Sequence, residues 1–288
     1  MTEAAFLAGE GADTLVIDAT NLAFASPLDL AGIVATAHWA ASDSIAVALK
    51  LPKDPKIASY LQRMDVLRQM PSRTQILGRV PPEARTDQRD RLMEVTALNE
   101  RTVNDLSERL GPLVTSFYDS YSHVAGAAVF RACSELMSNA TEHGGSERGA
   151  FIAAQLHTGG STDEGPRLEF AVCDTGIGVM NHLMQNPRHA HLTRDELAIA
   201  KALQAGVSGI ATEMRGNGLS DAIEHSRRFG SVNVQIRSGR GEVKAAGSPS
   251  DYTETKRSRP DQTSGTWAWL THRLHPCGSI EKMKPEKR

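Results

Sequence analysis

The sequence predicts an α+β protein in two parts: a small α/β unit, then a two-layer sandwich of a mixed sheet with helices on one face. Three observations lead there. Short apolar runs alternate with helical periods before residue 70, and apolar–polar alternation marks strands after residue 150. Between them, 113–142 is an apolar segment long enough to be a helix that covers a sheet. At 288 residues the chain can bury two cores.

Thr14-Leu-Val-Ile-Asp18 reads as a strand and Pro27 to Ala41 as a helix opened by proline. Ser44 to Leu51 is a second strand. Pro55 to Met70 is a second helix, with Ile57, Leu61, Met64 and Leu67 near helical period. Pro71 to Arg91 is polar and rich in Pro and Arg, so the first domain is expected over 1–80 and a linker over 81–91. The second domain, 92–275, opens with Leu92-Met-Glu-Val-Thr96 as an edge strand and a helix over Asn99–Leu110.

The long helix, Leu113 to Glu142, is apolar almost all round from Val124 to Ala140, as expected of a helix buried between layers. Its exception is a polar stripe of Arg131, Glu135, Ser138, Asn139 and Glu142, at steps that share one face. Unpaired buried polar groups are costly, so the stripe must line a cavity, join a polar network or face a ligand. Strands follow at Ala150–His157, Arg167–Cys173, Ser231–Arg237 and Thr266–His272. Gly239 to Ser264, rich in Gly, Ser, Pro and charge, is expected to be a mobile loop, and 276–288 a flexible tail.

A formal net charge of −2 gives no reason to expect binding to nucleic acid or to an anionic membrane. The three cysteines lack paired spacing, and Cys133 and Cys173 read as small buried hydrophobes of a reducing compartment. No signal peptide and no membrane span is expected, which points to a soluble, cytoplasmic protein.

Four short stretches carry chemistry. In Glu135-Leu-Met-Ser-Asn139-Ala140, Glu135 and Asn139 stand one helical turn apart. An amide oxygen is a hard ligand suited to Mg²⁺, and a carboxylate one turn away can deprotonate an attacking water or hydroxyl. Asp174 directly follows a strand and precedes Thr-Gly176-Ile-Gly178. A carboxylate only accepts hydrogen bonds, which suits the amino group of adenine, and the glycines admit close backbone approach.

Arg215-Gly216-Asn217-Gly218-Leu219 opens a helix whose free N–H groups form a phosphate site, with Arg215 adding charge. Gly265-Thr266 enters the last strand, where a hydroxyl can reach a terminal phosphate. Each stretch alone also fits an ordinary turn, cap or strand entry. Their combined order points to a pocket for a magnesium nucleotide, and no GxxxxGK[ST] occurs, so a P-loop is excluded.

In sequence and order these stretches resemble the N, G1, G2 and G3 boxes of the GHKL ATPase superfamily, which includes gyrase, heat-shock chaperone ATPases, histidine kinases and mismatch-repair ATPases. The resemblance covers about Leu92 to Leu274. It implies a Bergerat-type sandwich with Mg-ATP between helix and sheet. Asn139 is then the magnesium ligand, Glu135 the catalytic base and Asp174 the adenine reader. Gly176, Gly178, Gly216 and Gly218 shape the pocket, and residues 181–214 form a lid. His182, His189 and His191 in that lid are expected to be solvated rather than to hold a metal. Ser134-Glu135 through His143-Gly144 is most similar to the anti-sigma-factor serine kinases. A histidine autokinase is disfavoured, since no phosphoacceptor helix pair is evident and His123 begins the long helix itself.

The first unit resembles a STAS domain, the fold of anti-sigma-factor antagonists, from Leu15-Val-Ile-Asp18 through Phe24-Ala-Ser-Pro-Leu-Asp-Leu30 to Tyr60-Leu-Gln-Arg-Met64. Register puts Leu28 near that family's phosphorylatable position, with Ser26 displaced, which argues against phosphorylation there. A docked partner module and a generic βαβα unit both fit.

The expectation is therefore a cytosolic regulatory protein that binds ATP and Mg²⁺. It transfers the γ-phosphoryl to water or to a Ser/Thr of a partner, as an ATPase or a serine/threonine kinase. The alternative is a non-catalytic nucleotide switch that binds a regulatory partner protein. A structural α+β protein whose motifs coincide by chance is the third reading. The resemblance also implies a possible homodimer.

Overall fold

The computed structural model describes residues 6–7, 13–83, 87–118, 123–144, 149–157, 167–204, 207 and 218–274. Two sheets organise them. The first has the order β1 (Phe6–Leu7), β2 (Thr14–Asp18), β3 (Ala46–Lys50), β4 (Gln75–Leu77), with β2, β3 and β4 parallel and β1 antiparallel at the edge. Helix α1 (Pro27–Ser42) connects β2 to β3, and α2 (Pro55–Arg63) with α3 (Val66–Gln69) connects β3 to β4. A capping box starts α1: the Ser26 amide donates to the Asp29 carboxylate at 2.8 Å, and the Asp29 amide to Ser26 Oγ at 3.3 Å.

Two expectations change here. The helix expected over 55–70 is broken, because Asp65 takes a left-handed φ of 60° between α2 and α3. And β4 lies inside the stretch expected to be boundary loop, where Gln75-Ile-Leu77 satisfies the backbone groups along β3 that would otherwise lack partners.

The second sheet has the order β5 (Leu92–Leu98), β6 (Ala150–His157), β7 (Arg167–Asp174), β9 (Asp251–Leu274), β8 (Gly230–Ser248). All its neighbours pair antiparallel, so it is not the mixed sheet expected. Between β5 and β6, α4 (Val103–Tyr118) runs out and α5 (His123–Gly144) runs back, returning the chain to the end it left; Leu98 pairs with Ala150. The helices divide after Tyr118 and not at Gly111-Pro112. Pro112 sits inside α4, where burial of Leu110, Leu113 and Val114 outweighs the lost hydrogen bond. Among the described residues between β7 and β8 lie helices α6 (Val179–Met184), α7 (Asp195–Ala202) and α8 (Gly218–Ser226).

One face of this sheet carries α4, α5 and α8 over a core that includes Leu110, Val129, Met137, Phe170, Val234 and Leu270. The other face is also covered, contrary to the one-sided layering expected. Leu92, Val95, Phe151, Ala153 and Cys173 from its strands share a second core with α1. A Cβ on Gly32 would come within 2.7 Å of the Trp267 ring, so helix and sheet touch backbone to indole. This double cover explains the near-continuous apolar run in β6. It also corrects the reading of α5: the helix lies on the outside, with one face buried on the sheet and Val124 and Arg131 exposed.

The stretch 239–264 is no loop. It forms the outer half of a two-stranded ribbon closed by the two-residue turn Pro249-Ser250. Straight, the 19 residues of β8 would span roughly 60 Å. Instead the register breaks at Gly239–Gly241 and the ribbon folds back. The Ser248 carbonyl thereby accepts from Arg227 at 2.9 Å, just before the start of β8. Glu242, 1% exposed, reaches Gln235 and Arg237 on the inner half, and Arg257 and Arg259 close around the same carboxylate.

Candidate functional site

At the far end of β7 the chain turns sharply after Asp174, where the bend of β8 and the Gly265 segment of β9 meet it. Asp174 is 6% exposed; its Oδ1 accepts from the Gly176 amide at 2.8 Å and the Thr266 amide at 3.1 Å. Burial raises its carboxyl to about 6, against the opposing pull of those amides and of the Thr266 side chain. Gly265 makes the arrangement possible. It sits at φ +72°, and a Cβ there would lie 2.2 Å from the Asp174 carbonyl oxygen.

Ser238 ties the corner together: its Oγ accepts from the Val179 amide at 2.9 Å and donates to the Gly265 carbonyl at 2.8 Å. Thr175 Oγ1 donates to the Gly149 carbonyl at 3.1 Å and fixes the corner to the start of β6. The sequence reading missed Ser238, and a lone serine ending an alternating strand carries no signal that would have found it.

Strand alternation sets the direction in which the corner faces. Phe170 and Val172 of β7, Ala268 and Leu270 of β9, and Val234 and Ile236 of β8 belong to the core under α5. Asp174, Thr266 and Ser238 continue those even-numbered series, so all three face the helix side of the sheet.

Helices α5 and α8 converge on the same end. Helix α5 stops at Gly144, six residues before Ala150, which pairs with Asp174. Helix α8 runs the opposite way. Its Ser226 carbonyl accepts from Nε2 of His272 at 3.1 Å, and the other ring nitrogen accepts from the Tyr118 hydroxyl. Gly218 therefore lies about 12 Å back toward the Asp174 end, at 1.5 Å per residue. The first-turn N–H groups of α8 and the last turns of α5 thus share one end of the sheet with Asp174.

On α5, Glu135 is half-buried at 31% side-chain exposure, with Arg131 Nε 4.0 Å from its carboxylate, and Asn139 is half-buried one turn on. The expected phosphate-binding residues Arg215, Gly216 and Asn217 lie outside the described residues. Thr266, expected to reach a terminal phosphate, stands beside the Asp174 carboxyl, to which its amide donates.

The segment expected as a lid contains α6, α7 and a short 3₁₀ turn at Pro187–His189, while 205–206 and 208–214 lie outside the described residues. Helix α7 is packed on the bend of β8. Asp195 accepts from the Arg240 amide at 2.8 Å, and a Cβ on Gly241 would meet the Glu196 amide at 2.5 Å. No group of three or more His, Cys, Asp or Glu among the described residues is placed to hold a metal, and His182, His189 and His191 are not gathered into one. Among the described residues, no helix is long and apolar enough to cross a membrane. No family model matches the chain, and a search of curated proteins gives no match.

Proposed function

We propose that the chain is a GHKL-type protein of Bergerat architecture, fused to a STAS-like unit. It binds Mg-ATP over the Asp174 corner and transfers the γ-phosphoryl to water or to a Ser/Thr of a regulatory partner. The observation that carries this reading is Asp174: a buried carboxylate at a strand end, held by two backbone amides and facing the helix layer. A carboxylate fixed in this way accepts the amino group of a purine without rearrangement. Gly178, at φ +80°, lets the backbone pass close to Ser238 and Gly265 beside it, and a helix start such as that of α8 is an ordinary site for phosphate.

The residues of α5 fit magnesium, since Asn139 supplies one hard oxygen to an ion that takes most of its ligands from phosphates and water. When bound, that ion neutralises charge on the phosphates. Asn139 orients them, and Glu135 accepts the proton of the attacking water or hydroxyl. The runner-up is a nucleotide switch in which binding alone alters partner affinity.

Calorimetric titration with Mg-ATP, on wild type, Asn139→Ala and Asp174→Asn, tests the pocket. Binding is expected in wild type, with loss in both variants. Absence of binding to folded wild type overturns the reading. Turnover on the same samples separates enzyme from switch.

A further inference from the structure

A second polar cleft lies on the α1 side of the five-stranded sheet, at the end away from Asp174. Arg167 and Glu169 of β7, Asn233 of β8, and Trp269 and Arg273 of β9 form its floor, and the tip of the folded-back ribbon around Asp251 forms its wall. Its volume of about 460 Å³ suits a small organic ligand. Glu169 alternates with Leu168 and Phe170, so it stands on the opposite face from the α5 core and about 17 Å along β7 from Asp174.

Glu169 is 2% exposed. Arg167 Nη2 lies 2.6 Å from its Oε1, which balances its charge, and His157 Nε2 lies 3.4 Å away. Its Oε2 is buried without a hydrogen-bond partner. So are Oδ1 of Asn233, Nε1 of Trp269 and Nε of Arg167. Four orphaned polar atoms from three adjacent strands surround one cleft, where buried polar atoms are ordinarily paired.

Their chemistry defines the occupant. Two are acceptors and two are donors. Formal charges lining the cleft cancel, with Arg167 and Arg273 against Glu169 and Asp251. The remaining demand is for neutral hydrogen bonds in both senses. Hydroxyl groups meet it because each donates and accepts, whereas an ammonium only donates and a phosphate only accepts. We propose that this cleft binds a neutral polyhydroxylated molecule the size of a monosaccharide or cyclitol, its hydroxyls bridging Glu169 Oε2, Asn233 Oδ1 and Trp269 Nε1. The site stands apart from the nucleotide corner and does not depend on that reading.

The test uses the indole N–H signals of ¹⁵N-labelled full-length protein, which has three tryptophans, with Trp269→Phe to assign the reporter. Probes are D-glucose, D-galactose, D-mannose, D-ribose and myo-inositol, with glycine and inorganic phosphate as charged comparisons, each with and without Mg-ATP. At least one hydroxylated probe should shift the Trp269 signal saturably and leave Trp39 unmoved. Affinity should fall about tenfold in Asn233→Ala, which leaves the Glu169–Arg167 pair intact, and in Glu169→Gln. A Trp269 signal that no hydroxylated probe moves up to about 100 mM, or that only glycine or phosphate moves, overturns the proposal.

Discussion

Asp174 is the residue on which the nucleotide reading turns, and its titration gives that reading a pH signature. Its carboxyl is raised to about 6, so the folded protein holds the proton more tightly than the unfolded chain does. The stabilisation from that proton is fully present below the ordinary carboxylate range and is lost as pH rises through about 6. Asp174→Asn should therefore melt higher than wild type at pH 7, with the gap closing by pH 5, as read by calorimetry. Ligand binding should move the other way. Adenosine, itself neutral across this range, should bind wild type about tenfold more weakly at pH 5 than at pH 7, because the acceptor is then mostly protonated. Glu135→Ala should abolish turnover while leaving ATP affinity within about twofold, measured on one preparation by calorimetry and phosphate release. Retained turnover would remove Glu135 from its role as base.

Elements, more than residues, decide whether the corner exists. Gly265 is the point where β9 crosses Asp174, and Gly265→Ala should push the two apart: a left-handed φ and a 2.2 Å overlap together should cost more than about 2 kcal/mol in denaturant unfolding. The folded-back ribbon has its own fastening in Glu242. Burial opposes ionisation there, yet Arg257, Arg237 and Lys244 hold its carboxyl below the ordinary value. Glu242→Ala should leave those cations facing one another. The amides of 243–248 are then expected to exchange with solvent about tenfold faster, with the sheet core unchanged. The ribbon is also where the sequence was hardest to read. Arg257, Arg259 and Glu242 look like solvated charge in a loop, because the partners that bury them are brought near only by the bend at Gly239. By contrast, β2, β6 and the start of α1 were legible, since short apolar runs and a proline at a helix start are local properties. The candidate site divides the same way. Asp174 and Gly265-Thr266 stood out as motifs, whereas Ser238 acquires its role only where β8 and β9 meet the start of α6.

Across the whole molecule, α1 belongs as much to the five-stranded sheet as to its own. Most of its apolar residues are buried, and Phe151, Ala153 and Cys173 complete that burial. Removal of residues 1–80 should expose this face, and the remainder is expected to associate or precipitate; a stable monomer of 81–288 in sedimentation would contradict the shared core. The sequence hid this union because α1 and its floor are far apart in the chain, and small residues such as Gly32 read as helix filler until Trp267 is placed against them.

That separation sets a timetable during synthesis. Helix α1 ends at Ser42, and the last strand that floors it carries Trp267. At roughly 5–20 residues per second, a ribosome needs about 10–45 s to bridge the gap. Throughout that interval an apolar helix flank, complete in its own small sheet, has nothing to close against. The nascent chain is thus a natural client for a chaperone that shields hydrophobic surface, and its first unit becomes fully native only when its last strand arrives.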